Sequence, residues 1–305
     1  MGRRLGWAGL ALWMVACGTN QGEATGWTGA RDLALTPLRV ERWPDDLRDR
    51  HVLILAGHVA ADGTTRPQIK TLLPALVTAG WAVVFVGNSD AMSAPTQGSA
   101  AVQLDVPSAS LAGLLMRANR GLDFAAWAQA LRLFPQLWAA RSVTLMNDSV
   151  LGPIRPDSLE AVYARLMRLE GDVAYLTKSE LTRKHYQSYF IHLSARALNS
   201  AAVRTFFAGV ENRHSKSDVI NLYEFGLTDV LDGSGLKTDI LFDVCPTFES
   251  CRFDSPTSSL WRPLIEEHNF PFVKAVVLRN MEADATAYGR ALTWLGRWGY
   301  GPAAG

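Results

Sequence analysis

The chain has 305 residues, 48% of them hydrophobic and 19% charged, with a formal net charge of +1. That much apolar material supplies one large core and excludes a disordered, collagen-like or coiled-coil chain. A charge so close to zero provides no basic stripe for nucleic acid, and the basic–aromatic strand motifs of RNA-binding modules are absent.

In chain order, the first feature is the apolar run Leu5–Ala16, preceded by Arg3 and Arg4 and followed by Cys17. Basic residues, a short apolar run and a small residue before a cysteine read as a signal peptide or lipoprotein signal. The same residues also fit a helix lying on a membrane surface, with Trp7 and Trp13 at the interface. The run is too short to cross a bilayer, which takes about 20 residues. Residues 1–48 as a whole read as a tail, and folding is expected to begin near His51.

His51–Ala56 and Trp81–Val86 are short continuous apolar runs, as in strands buried on both faces. Between them, Ile69, Leu72, Leu73, Leu76 and Val77 have helical spacing after Pro67, with Gly80 where a helix stops and Pro74 as an internal flaw. Strand, helix and strand in this order predict a mostly parallel α/β sheet with flanking helices. Helices are expected at Ser110–Arg117, Phe124–Trp138, Asp157–Leu169, Ala195–Glu211 and Lys216–Leu231, and strands at Ser142–Met146, Val173–Leu176 and Ser188–Leu193. A turn-rich last third leads into a helix at Ser259–His268, making a helical C-terminal extension. The main domain is placed at 49–285 and a C-terminal tail at 286–305. Cys17, Cys245 and Cys251 are too few for a disulfide framework, and the spacing of the last two is not that of a zinc ribbon. They are read as unpaired thiols.

Ligands of open α/β sheets sit at the carboxyl ends of the strands, and polar clusters fall there. In Asn119–Asp123, Gly121 permits unusual backbone angles and the helix that follows offers free N–H groups to an anion; helix capping by Asp123 is the plain alternative. Asn147–Asp148–Ser149 follows a central strand. A carboxylate there suits Mg²⁺ or Mn²⁺ bridging to a diphosphate, although no second aspartate completes an Asp-x-Asp pair; a simple turn is the alternative. Glu180 and His185 flank a third polar stretch as titratable groups suited to general base work. The run Asp232–Thr238 imitates a phosphate loop but lacks glycine directly before Lys237, and no G-x-S-x-G or H-E-x-x-H motif occurs. Most of the 10 tryptophans, Trp127, Trp138 and Trp261 among them, are read as packing residues.

The segments ANRGLDFAAW, LMNDSVLGPI, LTKSELTRKHYQSYF, VINLYEFGLTDVL and PTSSLWRPLIEEHNFPFVKAVVLRN, in this order, resemble the rhamnan synthesis protein F family. HVLILAGHVAADG followed by LVTAGWAVVFVGNS is similar to that family's first strand–helix–strand. The resemblance covers roughly residues 50–280; the Cys245–Cys251 stretch departs from it. It implies a nucleotide-sugar-binding, GT-A-like domain and a glycosyltransferase of cell-surface polysaccharide synthesis. The expected donor is a nucleotide sugar such as dTDP-rhamnose, and the acceptor a polysaccharide or lipid-linked glycan.

Within that reading, Asn119, Gly121, Asp123, Asn147, Ser149 and Gln187 are expected to bind the donor, and Asp148 to meet the diphosphate through Mg²⁺ or Mn²⁺. His185 or Glu180 would deprotonate the acceptor, with Glu224 as a further base candidate beside Tyr223. A base opposite the leaving group implies inversion. Cytoplasmic sugar nucleotides favour the surface-helix reading of the N-terminus, peripheral at the inner face of the membrane. The competing readings are a non-catalytic binding or assembly protein of the same fold, and an exported lipoprotein.

Overall fold

The computed structural model describes residues 33, 36–93, 101–248, 251 and 253–301. The apolar run Leu5–Ala16, with Trp7, Trp13 and Cys17, lies outside the described residues. In chain order the strands are β1 (Leu38–Arg42), β2 (His51–Val59), β3 (Ala82–Ser89), β4 (Gly113–Ala118), β5 (Ser142–Asn147), β6 (Val150–Leu151), β7 (Val173–Tyr175), β8 (Lys178–Ser179), β9 (His185–Tyr186), β10 (Phe190–Ser194), β11 (Thr238–Ile240) and β12 (Val273–Lys274). The helices are α1 (Pro67–Thr78), α2 (Leu122–Leu133), α3 (Ser158–Leu166), α4 (Ala195–Leu198), α5 (Ala201–Ala208), α6 (Lys216–Val219), α7 (Phe225–Gly233), α8 (Pro256–Ser259), α9 (Trp261–His268), α10 (Ala275–Met281) and α11 (Ala285–Gly296).

Eight strands form one sheet in the order β1-β4-β3-β2-β5-β10-β7-β11. All run the same way except β1 and β10, which pair antiparallel with their neighbours. The protein is therefore an α/β fold with a mostly parallel sheet, flanking helices and C-terminal helices, as the apolar strand runs predicted. Alternation along β2 shows why those runs are continuous. Leu53 and Leu55 enter one core with α1, α3 and the C-terminal helices. Val52, Ile54 and Ala56 enter a second core with α2, α5 and α7 on the opposite face. Burying each such aliphatic side chain contributes about 1.5–3 kcal/mol. Winding outward from β2 to β3 and β4 and then back to β5 on its other side makes a switch point between β2 and β5, where a crevice forms at the strand ends.

Several sequence expectations are corrected. Ser110–Arg117 is not a helix; it contains β4, with Leu114 and Met116 in one core and Leu115 in the other. Arg117 is fully buried, bonding Asn88 Oδ1 (2.6 Å), the Arg120 carbonyl (2.8 Å), Asn212 Oδ1 (3.0 Å) and Gln129. The Phe124–Trp138 helix stops at Leu133 because Pro135 disfavours helical geometry before it; a 3₁₀ turn, Pro135–Ala139, follows. The Ala195–Glu211 segment divides into α4 and α5. Residues 1–48 are not wholly a tail, since β1 extends the sheet antiparallel to β4. Nor is 286–301: α11 buries Ala291 and Leu295, and Tyr300 joins the same core. Cys245 and Cys251 are not free thiols but form a disulfide. Their Cα atoms stand 5.4 Å apart, a separation set by a tight turn that sequence spacing alone does not reveal. No helix of the described residues is long and apolar enough to cross a membrane.

Candidate active site

Asp148 follows β5 and spans the switch-point crevice. Its backbone N–H donates to the Ala56 carbonyl (3.1 Å), and its Oδ2 accepts the His58 N–H (2.9 Å). Its Oδ1 accepts from Arg66 Nη1 (3.2 Å), and its carbonyl accepts from Gln68 Nε2 (2.6 Å). Asp148 is buried, and both carboxylate oxygens are engaged by donors of this chain. Among the described residues, no three His, Cys, Asp or Glu side chains come together to hold a metal. A divalent ion at Asp148 would have to compete with Arg66 and the His58 N–H for the carboxylate oxygens.

The neighbouring ends of β3 and β4 are also satisfied internally. Asn119 Nδ2 donates to Asp90 Oδ1 (2.7 Å), and Asp90 Oδ2 meets His58 Nε2 (2.8 Å). Gly121 has φ +70°, and a Cβ there would come within 2.6 Å of both Ala125 Cβ and Asn212 Oδ1. Only glycine fits the approach of α2 to the loop carrying Asn212.

A different arrangement occupies the other side of β5. Asn147, the last residue of the strand, donates through Nδ2 to Asp123 Oδ2 in the first turn of α2. Its Oδ1 accepts the Ser149 N–H (3.1 Å). Asp123 is therefore not the cap, a place taken by Gly121; it is a carboxylate braced against the strand end. Burial pushes its carboxyl up from the ordinary range; hydrogen bonds from Asn147 and the Phe124 N–H oppose this, and the Glu224 charge adds to it.

Glu224 arrives from the opposite direction. The chain from Lys216 to Gly233 is helical but includes a π turn, Ile220–Glu224, joining α6 to α7. The turn ends on Glu224, which faces the hairpin of β8 and β9 and the residues after it. Glu224 Oε1 lies 3.2 Å from His185 Nε2, and Oε2 accepts from the Ser188 hydroxyl and N–H. His185 Nδ1 is 2.9 Å from the Arg183 carbonyl, an obligatory acceptor, so Nδ1 carries hydrogen. Burial alone would raise the Glu224 carboxyl, but hydrogen bonds from His185 and Ser188, with the charge of Lys274, hold it below the usual range.

Lys274 completes the cluster and was not a sequence candidate. It sits on β12, which pairs with β6 so that Lys274 lies opposite Val150, and the Ala275 N–H donates to the Ser149 carbonyl (2.9 Å). Its ammonium rests 4.7 Å from the centre of the Tyr189 ring. Burial lowers its pKa; Glu224 and Asp123 act against this, and Lys216 acts with it. Two residues on a two-residue strand, more than 120 positions from their partner strand, give no local pattern that could have exposed this lysine.

The structure thus brings Asp123, Asn147, His185 and Glu224 together, with Ser149 alongside. Glu180 is exposed on the β8–β9 turn and shares none of the cluster's hydrogen bonds among the described residues. Gln187 is a structural clamp: its side chain bonds Thr177 Oγ1 (2.7 Å), Ser255 Oγ (2.9 Å) and Thr257 Oγ1 (3.3 Å), fastening α8 to the sheet. Tyr223 likewise braces its own turn through the Glu211 backbone. What the cluster offers chemically is one ionised carboxylate backed by a histidine, one carboxyl pushed toward its neutral form, an amide and an ammonium.

The sequence profile of rhamnan synthesis protein F matches residues 83–292. The chain is also similar to a virulence protein, VirA, of Vibrio anguillarum, in two sequences, each 25% identical over 194 residues. That alignment takes in 54% of this chain and 61% of the relative's length.

Proposed function

Because the chain belongs to the rhamnan synthesis protein F family, a family of polysaccharide synthesis, we propose that it is an inverting glycosyltransferase. In this reading it moves a hexose, such as rhamnose, from a nucleotide sugar to a growing polysaccharide or its lipid carrier. The observation that carries the reading is the Asn147–Asp123 bond at the carboxyl end of β5, where a nucleotide-binding sheet presents its ligand, with Glu224 near enough to raise the Asp123 carboxyl by its charge. Two carboxyls with pKa values displaced in opposite directions divide acid and base roles between them. Glu224, held ionised, takes the acceptor's proton as the acceptor oxygen bonds to the sugar's anomeric carbon. The bond from that carbon to the diphosphate breaks, and its electron pair leaves with the phosphate. Asp123 and Asn147 hydrogen-bond the sugar hydroxyls and set the ring for attack from the Glu224 side. This places the base on Glu224, with His185 as its orienting partner and Glu180 outside the reaction.

A divalent ion at Asp148 has no part in this scheme, for the reasons of geometry given above. The test is release of nucleoside diphosphate from a panel of nucleotide sugars with a lipid-linked or oligosaccharide acceptor. Turnover by the wild-type chain and its loss in Glu224→Gln support the assignment; unimpaired turnover in that variant removes Glu224 from the mechanism.

The Cys245–Cys251 bond favours a second reading, because disulfides persist mainly in oxidising compartments. In that reading the chain is exported, away from sugar nucleotides, and serves as a binding or assembly protein. Thiol trapping in intact cells separates the two: a pair found reduced belongs with the cytoplasmic transferase, and a pair found oxidised with the exported form.

A further inference from the structure

We infer that Lys274 is the cation that receives the donor's diphosphate, taking the place a divalent ion would occupy beside β5. The inference rests on the transferase reading and adds to it a ligand group and a residue.

Charge bookkeeping around β5 leads to this lysine. Asp148 is engaged by Arg66 and the His58 N–H, so a metal would have to compete with them for the carboxylate nearest the strand end. Lys178 and Lys184 each have a carboxylate partner, Asp243 at 2.9 Å and Asp232 at 3.6 Å. Lys274 is partly buried, and among the described residues it makes no ion pair and no hydrogen bond; its one direct contact is the face of Tyr189. Glu224 and Asp123 act on it electrostatically without forming an ion pair with it. Burial disfavours the charged form of this lysine, and an anion placed beside the ammonium would offset that.

Position selects the kind of anion. Lys274 lies opposite Val150 on β12, directly past Asn147–Ser149, and the adjacent Ala275 N–H is already bound to the Ser149 carbonyl. The ammonium is therefore fixed at the strand end where the sugar's leaving group must sit if Asp123 and Asn147 hold the sugar. A tetrahedral phosphate accepts the ammonium's three hydrogens as a point charge requires. During transfer, negative charge develops on the departing phosphate oxygen, and a fixed cation there stabilises it without metal.

The full-length chain is titrated with dTDP, UDP, GDP, inorganic phosphate and the corresponding nucleosides, in EDTA and in Mn²⁺, with melting temperature as the readout. The expected result is that one nucleoside diphosphate binds in EDTA, and that Lys274→Met weakens it roughly ten- to a hundredfold while leaving nucleoside binding unchanged. Lys274→Arg should restore part of the loss. If Lys274→Met fails to fold, Lys274→Gln, of similar reach, takes its place. Diphosphate binding that is indifferent to loss of the lysine, or that requires Mn²⁺, overturns the inference and leaves the transferase reading standing. Absence of any nucleotide binding by the folded wild-type chain overturns both.

Discussion

The two sides of β5 handle charge in opposite ways. On the β2 side, Asp148 is met by Arg66 and a backbone N–H, and His58, Asp90 and Asn119 close a second set of bonds. Every one of these groups finds its partner within the chain. Around Asn147, Asp123 is held away from its ordinary pKa in one direction and Glu224 in the other, while Lys274 stands over an aromatic ring without a counter-ion. Groups with displaced pKa values concentrate where function is built, though structural ion pairs displace them too. At the crevice that topology alone nominates, between β2 and β5, Asp148 is thus taken up by bonds to His58, Arg66 and Gln68.

That contrast can be broken most directly at Glu224. Glu224→Gln should lower kcat by roughly 10²–10⁴-fold, as for loss of a general base, with the KM for the donor nearly unchanged. Asp148→Ala should do the reverse. It leaves a buried N–H and a guanidinium without their acceptor, at a cost of about 1.5–3 kcal/mol in urea unfolding, while the folded fraction keeps its rate. A collapse in rate at full stability would put Asp148 in the active site and erase the distinction between the two sides. Gly121→Ala should cost about 1–2 kcal/mol through its left-handed backbone, and the shifted α2 should also raise KM, since Asp123 lies on that first turn. Arg66→Ala, the half-exposed partner of Asp148, should cost less than about 1 kcal/mol.

Acidity sharpens the same comparison. The lowered pKa of Glu224 means that its contribution to stability is present above the unfolded carboxylate range and is lost as pH falls through the folded value. Asp123, raised by burial, contributes in the opposite sense: the stability of its protonated form is full below the unfolded value and lost as pH rises through the folded one. Melting temperature against pH should therefore lose part of its acid limb in Glu224→Gln and part of its decline above the carboxylate range in Asp123→Asn.

Much of the sheet was legible because β2, β3 and β5 are apolar on both faces, a pattern no surface helix shows. β4 was misread because a buried arginine is indistinguishable, in sequence, from one facing solvent; its acceptors Asn88 and Asn212 lie 29 and 95 positions away. Asp123, Asn147 and His185 stood out through residue type and place at strand or helix ends. The partners of Asp148 did not, because Arg66 and His58 are 82 and 90 residues distant. Lys274 escaped for the same reason: its place is set by the pairing of two short strands, not by its neighbours in sequence.

The π turn at Ile220–Glu224 carries a consequence for the chain's tolerance of insertions and deletions. Such a turn holds one residue more than α geometry needs, and each helical residue advances the face by about 100°. Removing one position, such as the exposed Leu222, would let α6 and α7 merge into a regular helix. Glu224 would then swing out of line with His185 and Ser188 relative to everything upstream. A one-residue deletion that makes the helix more ideal would thus turn Glu224 and the buried face of α7, with Leu227 and Leu231, away from the places they now hold. The irregular turn is what the reading frame of this site depends on.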